Sequence, residues 1–335
     1  MNNHLQADTH IKDGKTFNVI LDKLSICFHD PDSEHVNKTC GLLISDQIDK
    51  SPGILVTKNP RYMVSCCLHL PFKGDTQETA FFEAGPTRPG AASYRLEFNP
   101  SKLSKAGLDD LIVFLSSTID PDPLEFFRDG RITRCDVAVD LPGLHLEDLI
   151  VRSSRMQKHG IYADRHGQIQ TTYLGTPRSA RRVVAYEKPI KGSFDTRLRL
   201  EQRLKPRCLG RELAKLSNPF AKVELIPVAA LEASGIGIPA LFIADSIRIG
   251  GINRALLPLD PIQRKAFRKA YKAATSLLPN LDQAWAAWPS TLIDYGLGEE
   301  LGATPIVAPG SGLLASLNKL NPIPGLWQHD HEPSC

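Results

Sequence analysis

Residues 132–140 read ITRCDVAVD, and this stretch decides the fold prediction because apolar and polar residues alternate along it. Side chains two positions apart share one face of a β-strand. Cys135, Val137 and Val139 therefore point to one side. The other side carries Arg134, Asp136, Ala138 and Asp140. The pattern predicts a half-buried strand whose apolar face meets a core and whose charged face meets solvent or a ligand.

Alternation of the same kind extends outward from this stretch and predicts six more strands. They cover 17–28, 63–70, 94–98, 170–174, 183–188 and 197–204. Two helices are predicted, one from Ser104 to Ser117 with a serine cap, and one from His145 to Lys158. The order of these elements predicts an α+β domain with a mainly antiparallel sheet packed on helices, followed by a smaller helical C-terminal region.

Composition limits the class of protein. The chain has 335 residues, of which 42% are apolar and 23% charged, so a packed core is expected and wholesale disorder is excluded. The seven cysteines form no CxxC pair, which excludes a zinc ribbon and argues against a secreted disulfide scaffold. The opening MNNHLQADTH is no signal peptide, and prolines and glycines interrupt the uncharged stretch 301–318. The prediction is a reduced, cytoplasmic protein with no membrane partner.

Three regions follow from the distribution of proline and charge. We predict a compact domain over 15–208, a helical region over 209–300 that binds DNA or a partner, and a Pro/Gly-rich tail over 301–335. Asp260 and Pro261 begin a helix that carries five basic residues and no acid. From this helix Lys265, Arg268 and Lys269 are predicted to contact DNA phosphates; a merely solvated basic helix is the alternative.

Acidic residues recur on the polar faces of the predicted strands. Glu97, Asp136 and Glu201, with Asp140 nearby, would form a carboxylate cluster if their strands share a sheet. Oxygen ligands without an adjacent His or Cys pair suit Mg²⁺ or Mn²⁺. An ordinary solvated face is the alternative for any single strand, but four strands with one layout favour a site.

Basic residues surround these acids. Between 178 and 207 there are ten Lys or Arg against three acids, a local charge of +7. A metal-charged acid cluster within a basic surface is typical of a site that cleaves a phosphodiester in a polyanion. The strand arginines predicted to contact DNA are Arg95, Arg134, Arg181, Arg199 and Arg203.

Four motifs together resemble the replication initiation factor family (Rep_trans), which comprises the rolling-circle initiators of plasmids and phages and related relaxases. They are YRLEFNPSKL (94–103), ITRCDVAVD (132–140), TTYLGTPRSARRVVAYEK (171–188) and LRLEQRLK (198–205). They stand in the family's order and approximate spacing. Where family members often carry a second acid after the R-x-E glutamate, this chain has Arg203.

The resemblance implies a replication-initiator, RRM-like nicking domain that acts at an origin. The tyrosine of the Y-x-K motif, Tyr186, would attack the scissile phosphate to give a 5′-phosphotyrosyl link and a free 3′-OH. Asp136 and Glu201 would hold the divalent metal, with Glu97 and Asp140 as further ligands. A phenol has a pKa near ~10 and needs nearby positive charge to ionise. Lys188 and Arg182 share its strand face and are the predicted catalytic cations.

Partners and alternatives follow from the same resemblance. Origin DNA, duplex and single-stranded, a helicase and a second copy of the chain are the implied partners. A relaxase of a mobile element would use the same chemistry at a transfer origin. A non-catalytic DNA-binding regulator and a metal-dependent nuclease acting through activated water remain open as different classes of function.

Overall fold

A ten-stranded sheet forms the centre of the molecule in the computed structural model, which describes residues 19–45, 54–70, 78–119, 122–154, 158–190, 195–275 and 281–303. In chain order the twelve strands of these described segments are β1 Val19–Phe28, β2 Ile54–Asn59, β3 Tyr62–Leu70, β4 Glu78–Pro86, β5 Tyr94–Phe98, β6 Arg131–Pro142, β7 Leu149–Ser153, β8 His159–Ala163, β9 Ile169–Leu174, β10 Arg181–Pro189, β11 Thr196–Leu204 and β12 Val223–Pro227.

The large sheet has the spatial order β2-β3-β4-β5-β1-β6-β11-β10-β9-β8. Every pairing within it is antiparallel. The predicted α+β class with an antiparallel sheet is therefore confirmed. The strands with the acidic motifs, β5, β6 and β11, lie near the middle of the sheet, with β1 between β5 and β6.

Seven α-helices accompany the sheet in the described part of the chain. They are α1 Ser33–Ile44, α2 Lys105–Thr118, α3 Pro123–Asp129, α4 Ala240–Ala255, α5 Pro261–Ala274, α6 Leu281–Ala286 and α7 Trp288–Asp294. The predicted helix after Ser104 is confirmed as α2, and the Ser104 side chain caps it by accepting a hydrogen bond from the Gly107 N–H at 3.0 Å.

The apolar face of the sheet packs against α1, α2, α3 and α7. Leu111 of α2 and Trp288 of α7 are fully buried there, as are Cys135, Val137 and Val139 of β6. Full burial of one such side chain stabilises the fold by roughly 1.5–3 kcal/mol. Because one face of the sheet packs on this core, the polar residues that alternate with the core residues in β5, β6, β10 and β11 point to the other face.

The helix predicted over His145–Lys158 is wrong. A short 3₁₀ turn covers Leu146–Asp148, and the chain then forms strand β7, which pairs with β12 in a separate two-stranded sheet. Ile150 and Val151 belong to different apolar cores on the two sides of this small sheet. An apolar run buried on both sides resembles a helical pattern in sequence, and here its β-branched residues adopt the strand.

The C-terminal region contains the second apolar core, in which α4 and α5 pack on β7 and β12. Helix α5 confirms the predicted basic helix; Asp260 caps it and Gln263 completes a capping box. The predicted border at 208 stays a prediction, although the main core crosses it through Trp288, Leu292 and Leu301. Residues 15–18 and the tail from 304 onward lie outside the described residues. No described helix has the length and apolarity that a membrane crossing requires.

Candidate active site

The polar face of the large sheet carries the predicted site, and its strand register aligns side chains in rows. One row crosses five strands, because each residue pairs directly with the next. It consists of Asp140, Arg199, Tyr186, Thr171 and Tyr162. We call it the tyrosine row. Tyr186 stands at its middle, with Arg199 as its direct neighbour on β11.

Tyr186 is half-buried, and its hydroxyl donates a hydrogen bond to Glu201 Oε2 at 3.5 Å. Burial, followed by repulsion from the Glu201 carboxylate, raises the pKa of Tyr186 to about 12, against the lowering effect of Arg199. The phenol is therefore protonated at neutral pH in the free protein. The cation that acts on this phenol is Arg199, a residue that sequence reasoning assigned to DNA contact.

Arg199 is held by two acids. Its side chain is 3% exposed and donates to Asp140 Oδ2 at 2.8 Å and to Asp22 Oδ1 at 3.2 Å. These bonds raise its pKa above the ordinary value even though burial acts in the opposite direction. The result is a guanidinium fixed beside the tyrosine hydroxyl.

Lys188 and Arg182, the predicted catalytic cations, flank Tyr186 on its face without being its main electrostatic partners. Lys188 lies near Arg199 and its two acids. Burial, together with repulsion from Arg199, lowers the pKa of Lys188. Arg182 pairs with Arg203 in the register, and its guanidinium carbon lies 4.1 Å from the ring centre of Tyr173. Their catalytic roles remain predictions.

Asp136 and Glu201 form a buried pair of acids on neighbouring strands. Asp136 is 2% exposed and Glu201 is 4% exposed. Burial raises the pKa of Asp136 and repulsion from Glu201 adds to the rise, while Arg134 opposes both. Each acid also has its own arginine: Arg134 Nη2 lies 2.5 Å from Asp136, and Arg203 Nε lies 2.6 Å from Glu201.

The predicted four-acid cluster does not converge. Asp140 is paired with Arg199, and it lies four positions from Asp136 along β6, a distance of about 13 Å. Glu97 lies across β1 from β6 and pairs with Lys23 at 3.1 Å and with Arg95 at 2.5 Å. The register places these acids beside cations instead of beside one another.

Of the four predicted metal ligands, Asp136 and Glu201 are the two that lie together. Among the described residues no group of three or more His, Cys, Asp or Glu side chains is arranged to hold a metal ion. Mg²⁺, however, binds proteins through one or two carboxylates and completes its shell with water and substrate phosphates. Asp136 and Glu201 fit such a site, because the mutual repulsion that contributes to the raised pKa of Asp136 would be relieved by a divalent cation.

Three site residues escaped the sequence analysis. Asp22 contacts Arg199 and Lys23 contacts Glu97, both on the polar face, because a register shift in β1 between Leu21 and Lys23 lets two consecutive residues share that face. Glu83 of β4 binds Arg95 at 2.6 Å. For Asp22 and Lys23 the sequence held a signal, namely the broken alternation in VILDKLSI (19–26), where two polar residues follow each other.

The remaining predicted DNA contacts fall on different surfaces. Arg95, Arg134 and Arg203 lie on the polar face. Arg181 pairs with Leu204, which belongs to the opposite, apolar face, and it is exposed at the start of β10. Lys265, Arg268 and Lys269 are exposed on α5, while Phe267 and Tyr271 of that helix are buried in the second core.

Comparison with known proteins does not assign the site. The sequence matches no protein-family model, and a search among curated proteins finds no relative. The resemblance to rolling-circle initiators, and every role carried over from it, therefore remains a prediction.

Proposed function

We propose that this protein is a rolling-circle replication initiator, a metal-dependent enzyme that nicks and rejoins DNA at an origin through Tyr186. The sheet would then be an RRM-like nicking domain of the replication-initiator type. One observation carries the proposal: the Tyr186 hydroxyl, the Asp136–Glu201 acid pair and Arg199 meet on one face of one sheet. A phenol within hydrogen-bond distance of a buried acid and a fixed guanidinium is the arrangement that a tyrosine nucleophile needs.

The proposed reaction forms a bond between the Tyr186 oxygen and the scissile phosphorus and breaks the bond from phosphorus to the 3′ oxygen. The phenol proton leaves along the hydrogen bond to Glu201 and passes on to solvent, so that Glu201 is a carboxylate again, and Arg199 stabilises the resulting phenolate. The 3′ oxygen leaves as a hydroxyl, taking its proton from solvent. The phosphotyrosine keeps the energy of the broken bond, so the strand can be rejoined without ATP.

Mg²⁺ or Mn²⁺ would be held by Asp136 and Glu201, with phosphate oxygens and water as the other ligands. Such an ion would neutralise charge on the phosphate as the nucleophile approaches. Arg134 and Arg203 now neutralise these acids, and they would be free to bind DNA phosphates once a cation replaces them. The helicase partner and the self-association implied by the resemblance belong to the same proposal, as does the cytoplasmic location expected from the composition.

A non-catalytic DNA-binding regulator is the second candidate, and a specific observation favours it. Each of the four predicted acidic ligands already forms an ion pair with arginine, and the pKa of Tyr186 is raised to about 12. A binding surface needs no ionised phenol and no metal. The two candidates differ in whether a covalent complex forms.

The test is the covalent complex itself. Purified protein is incubated with Mg²⁺ and supercoiled DNA that carries the gene of this chain and its flanking sequence, and the products are separated on a denaturing gel. We expect a protein–DNA adduct from the wild type, none from Tyr186→Phe, and a strongly reduced amount from Asp136→Asn. Tyr162→Phe, which removes another hydroxyl of the tyrosine row, serves as the matched control and keeps the adduct.

Two outcomes would decide against the proposal. DNA binding without any adduct or nick would assign the regulator. Nicking that survives in Tyr186→Phe, with no adduct from the wild type, would assign a nuclease that uses activated water.

A further inference from the structure

The edge of the sheet next to Tyr186 carries a pair of aromatic rings and a cation. Tyr162 lies on the edge strand β8 and is 63% exposed. Its ring meets that of Tyr173 edge to face, with the ring centres 5.4 Å apart. Arg182 covers Tyr173, with its guanidinium carbon 4.1 Å from the ring centre. We call Tyr162, Tyr173 and Arg182 the aromatic edge.

Packing of the protein core does not account for these rings. Neither Tyr162 nor Tyr173 belongs to the two apolar cores formed by the described residues. An exposed tyrosine on an edge strand offers apolar area to solvent, which marks a contact surface when it occurs beside other aromatic or charged groups. Arg182, by lying over Tyr173, holds a positive charge at the same place.

The aromatic edge faces the same side as the candidate active site. Tyr162 pairs with Thr171, and Thr171 pairs with Tyr186, so the three residues lie in one row. Tyr173 pairs with Val184, two residues from Tyr186 on the same face of β10. Two strand spacings separate Tyr162 from Tyr186, which is about 10 Å. A strand bound at Tyr186 would therefore reach the aromatic edge within a few nucleotides.

We propose that the aromatic edge binds unpaired DNA bases by stacking, so that the chain holds a single strand beside the phosphate that Tyr186 attacks. The direction toward Tyr186 rests on the proposed function, whereas the binding of unpaired bases does not. Base faces are accessible only in single strands, and a surface that combines exposed aromatic rings with arginine is typical of proteins that bind them. The +7 charge of residues 178–207 suits the phosphates of the same strand.

The experiment separates bases from phosphates. Fluorescence anisotropy measures binding to a labelled oligothymidylate of about 10 nucleotides and to an abasic oligomer of equal length and charge. We expect the wild type to prefer the strand with bases, and Tyr162→Leu to reduce its affinity for that strand roughly 5- to 100-fold. Affinity for the abasic oligomer stays unchanged in this variant, because the phosphates remain.

Two controls keep the result specific. Tyr162→Phe keeps the ring and is expected to keep the preference for bases. Phe242→Leu removes a ring that is 70% exposed on α4, a helix that is not part of the large sheet, and should also leave the preference unchanged. Because Tyr162 is an exposed edge residue, Tyr162→Leu is expected to fold, and its melting temperature verifies this.

Failure of this inference is distinct from failure of the proposed function. Loss of the base preference in Tyr162→Leu supports the aromatic edge even where no Tyr186 adduct forms. An equal affinity of wild type and Tyr162→Leu for the oligothymidylate overturns it, even where the adduct forms normally. Equal binding of the base-bearing and abasic oligomers by the wild type overturns it as well.

Discussion

Two basic regions of this molecule use the same residue types in opposite ways. On the polar face of the sheet, arginines are fixed by acids, as Arg199 is by Asp140 and Asp22. On α5, Lys265 and Lys269 are exposed, and within the described part of the chain no salt bridge involves them. The difference shows what each region is suited to. Arginines held by acids keep a defined position and can orient a bound group, whereas exposed lysines attract a polyanion without fixing its orientation.

The first prediction tests the fixed charges and has the largest expected effect. Arg199→Leu removes the buried guanidinium that joins Asp140 and Asp22, and it leaves Asp140 with Arg197, at 3.0 Å, as its remaining arginine. Removing one member of a buried ion pair costs up to about 3–5 kcal/mol of the free energy of unfolding, and the remaining Arg197 places the expected loss at the lower end of that range. Denaturant unfolding measures this loss. The matched change Lys269→Leu on α5 is expected to stay within about 0.5 kcal/mol of the wild type. Equal losses in both variants would remove the distinction between the two regions.

The second prediction tests the free charges. Replacing Lys265, Arg268 and Lys269 together by glutamine should weaken duplex DNA binding and lower the slope of log affinity against log salt by about 2–3, since each phosphate contact contributes about 0.9. Binding measured over a range of salt concentrations gives the slope, and the melting temperature should not change. An unchanged slope would show that α5 does not contact DNA.

The third prediction has the smallest expected effect and concerns the pKa of Tyr186, which lies beside Arg199 and Glu201. Glu201 helps to raise the pKa of Tyr186 to about 12, so Glu201→Gln should lower that pKa. Ultraviolet absorbance of the phenolate, with Tyr186→Phe as the blank in each background, gives the titration.

The raised pKa also sets the sign of a stability effect. Since the folded pKa exceeds the ordinary value of 10, the folded state favours the protonated phenol. The stability that Tyr186 contributes is present below pH 10 and is lost as the pH rises toward 12. A Glu201→Gln variant whose phenol titrates no lower than that of the wild type would contradict this account of the pKa.

Much of the sheet could be predicted from the sequence because one of its faces is a core. The alternation in β6 and β11 predicted that these segments are strands, which of their residues are buried and which acids lie on the polar face. The serine cap predicted where α2 begins. The helix predicted over His145–Lys158 failed since β7 is buried on both sides, and burial on two sides erases the alternation that marks a strand.

The site was harder to predict than the fold because register is a tertiary property. Glu97, Asp136 and Asp140 do lie on one face, but pairing across strands decides which charges meet. The sequence could not show that Arg199 would lie beside Tyr186 while Arg182 would lie over Tyr173. An Arg two residues from an acid on one strand, as in Arg134 and Asp136, was the signal for ion pairing that could have been used.

The register shift in β1 has a consequence for the whole strand. Val19 and Leu21 are buried at odd positions, and Leu24 and Ile26 are buried at even ones, so the parity of the strand changes at Asp22 and Lys23. The extra residue of this bulge lets both halves of β1 keep their apolar side chains in the core. If one residue were deleted there, the alternation would run unbroken along β1. One half of the strand would then have to turn its apolar side chains to the polar face. The length of this strand is thus as strictly specified as its composition.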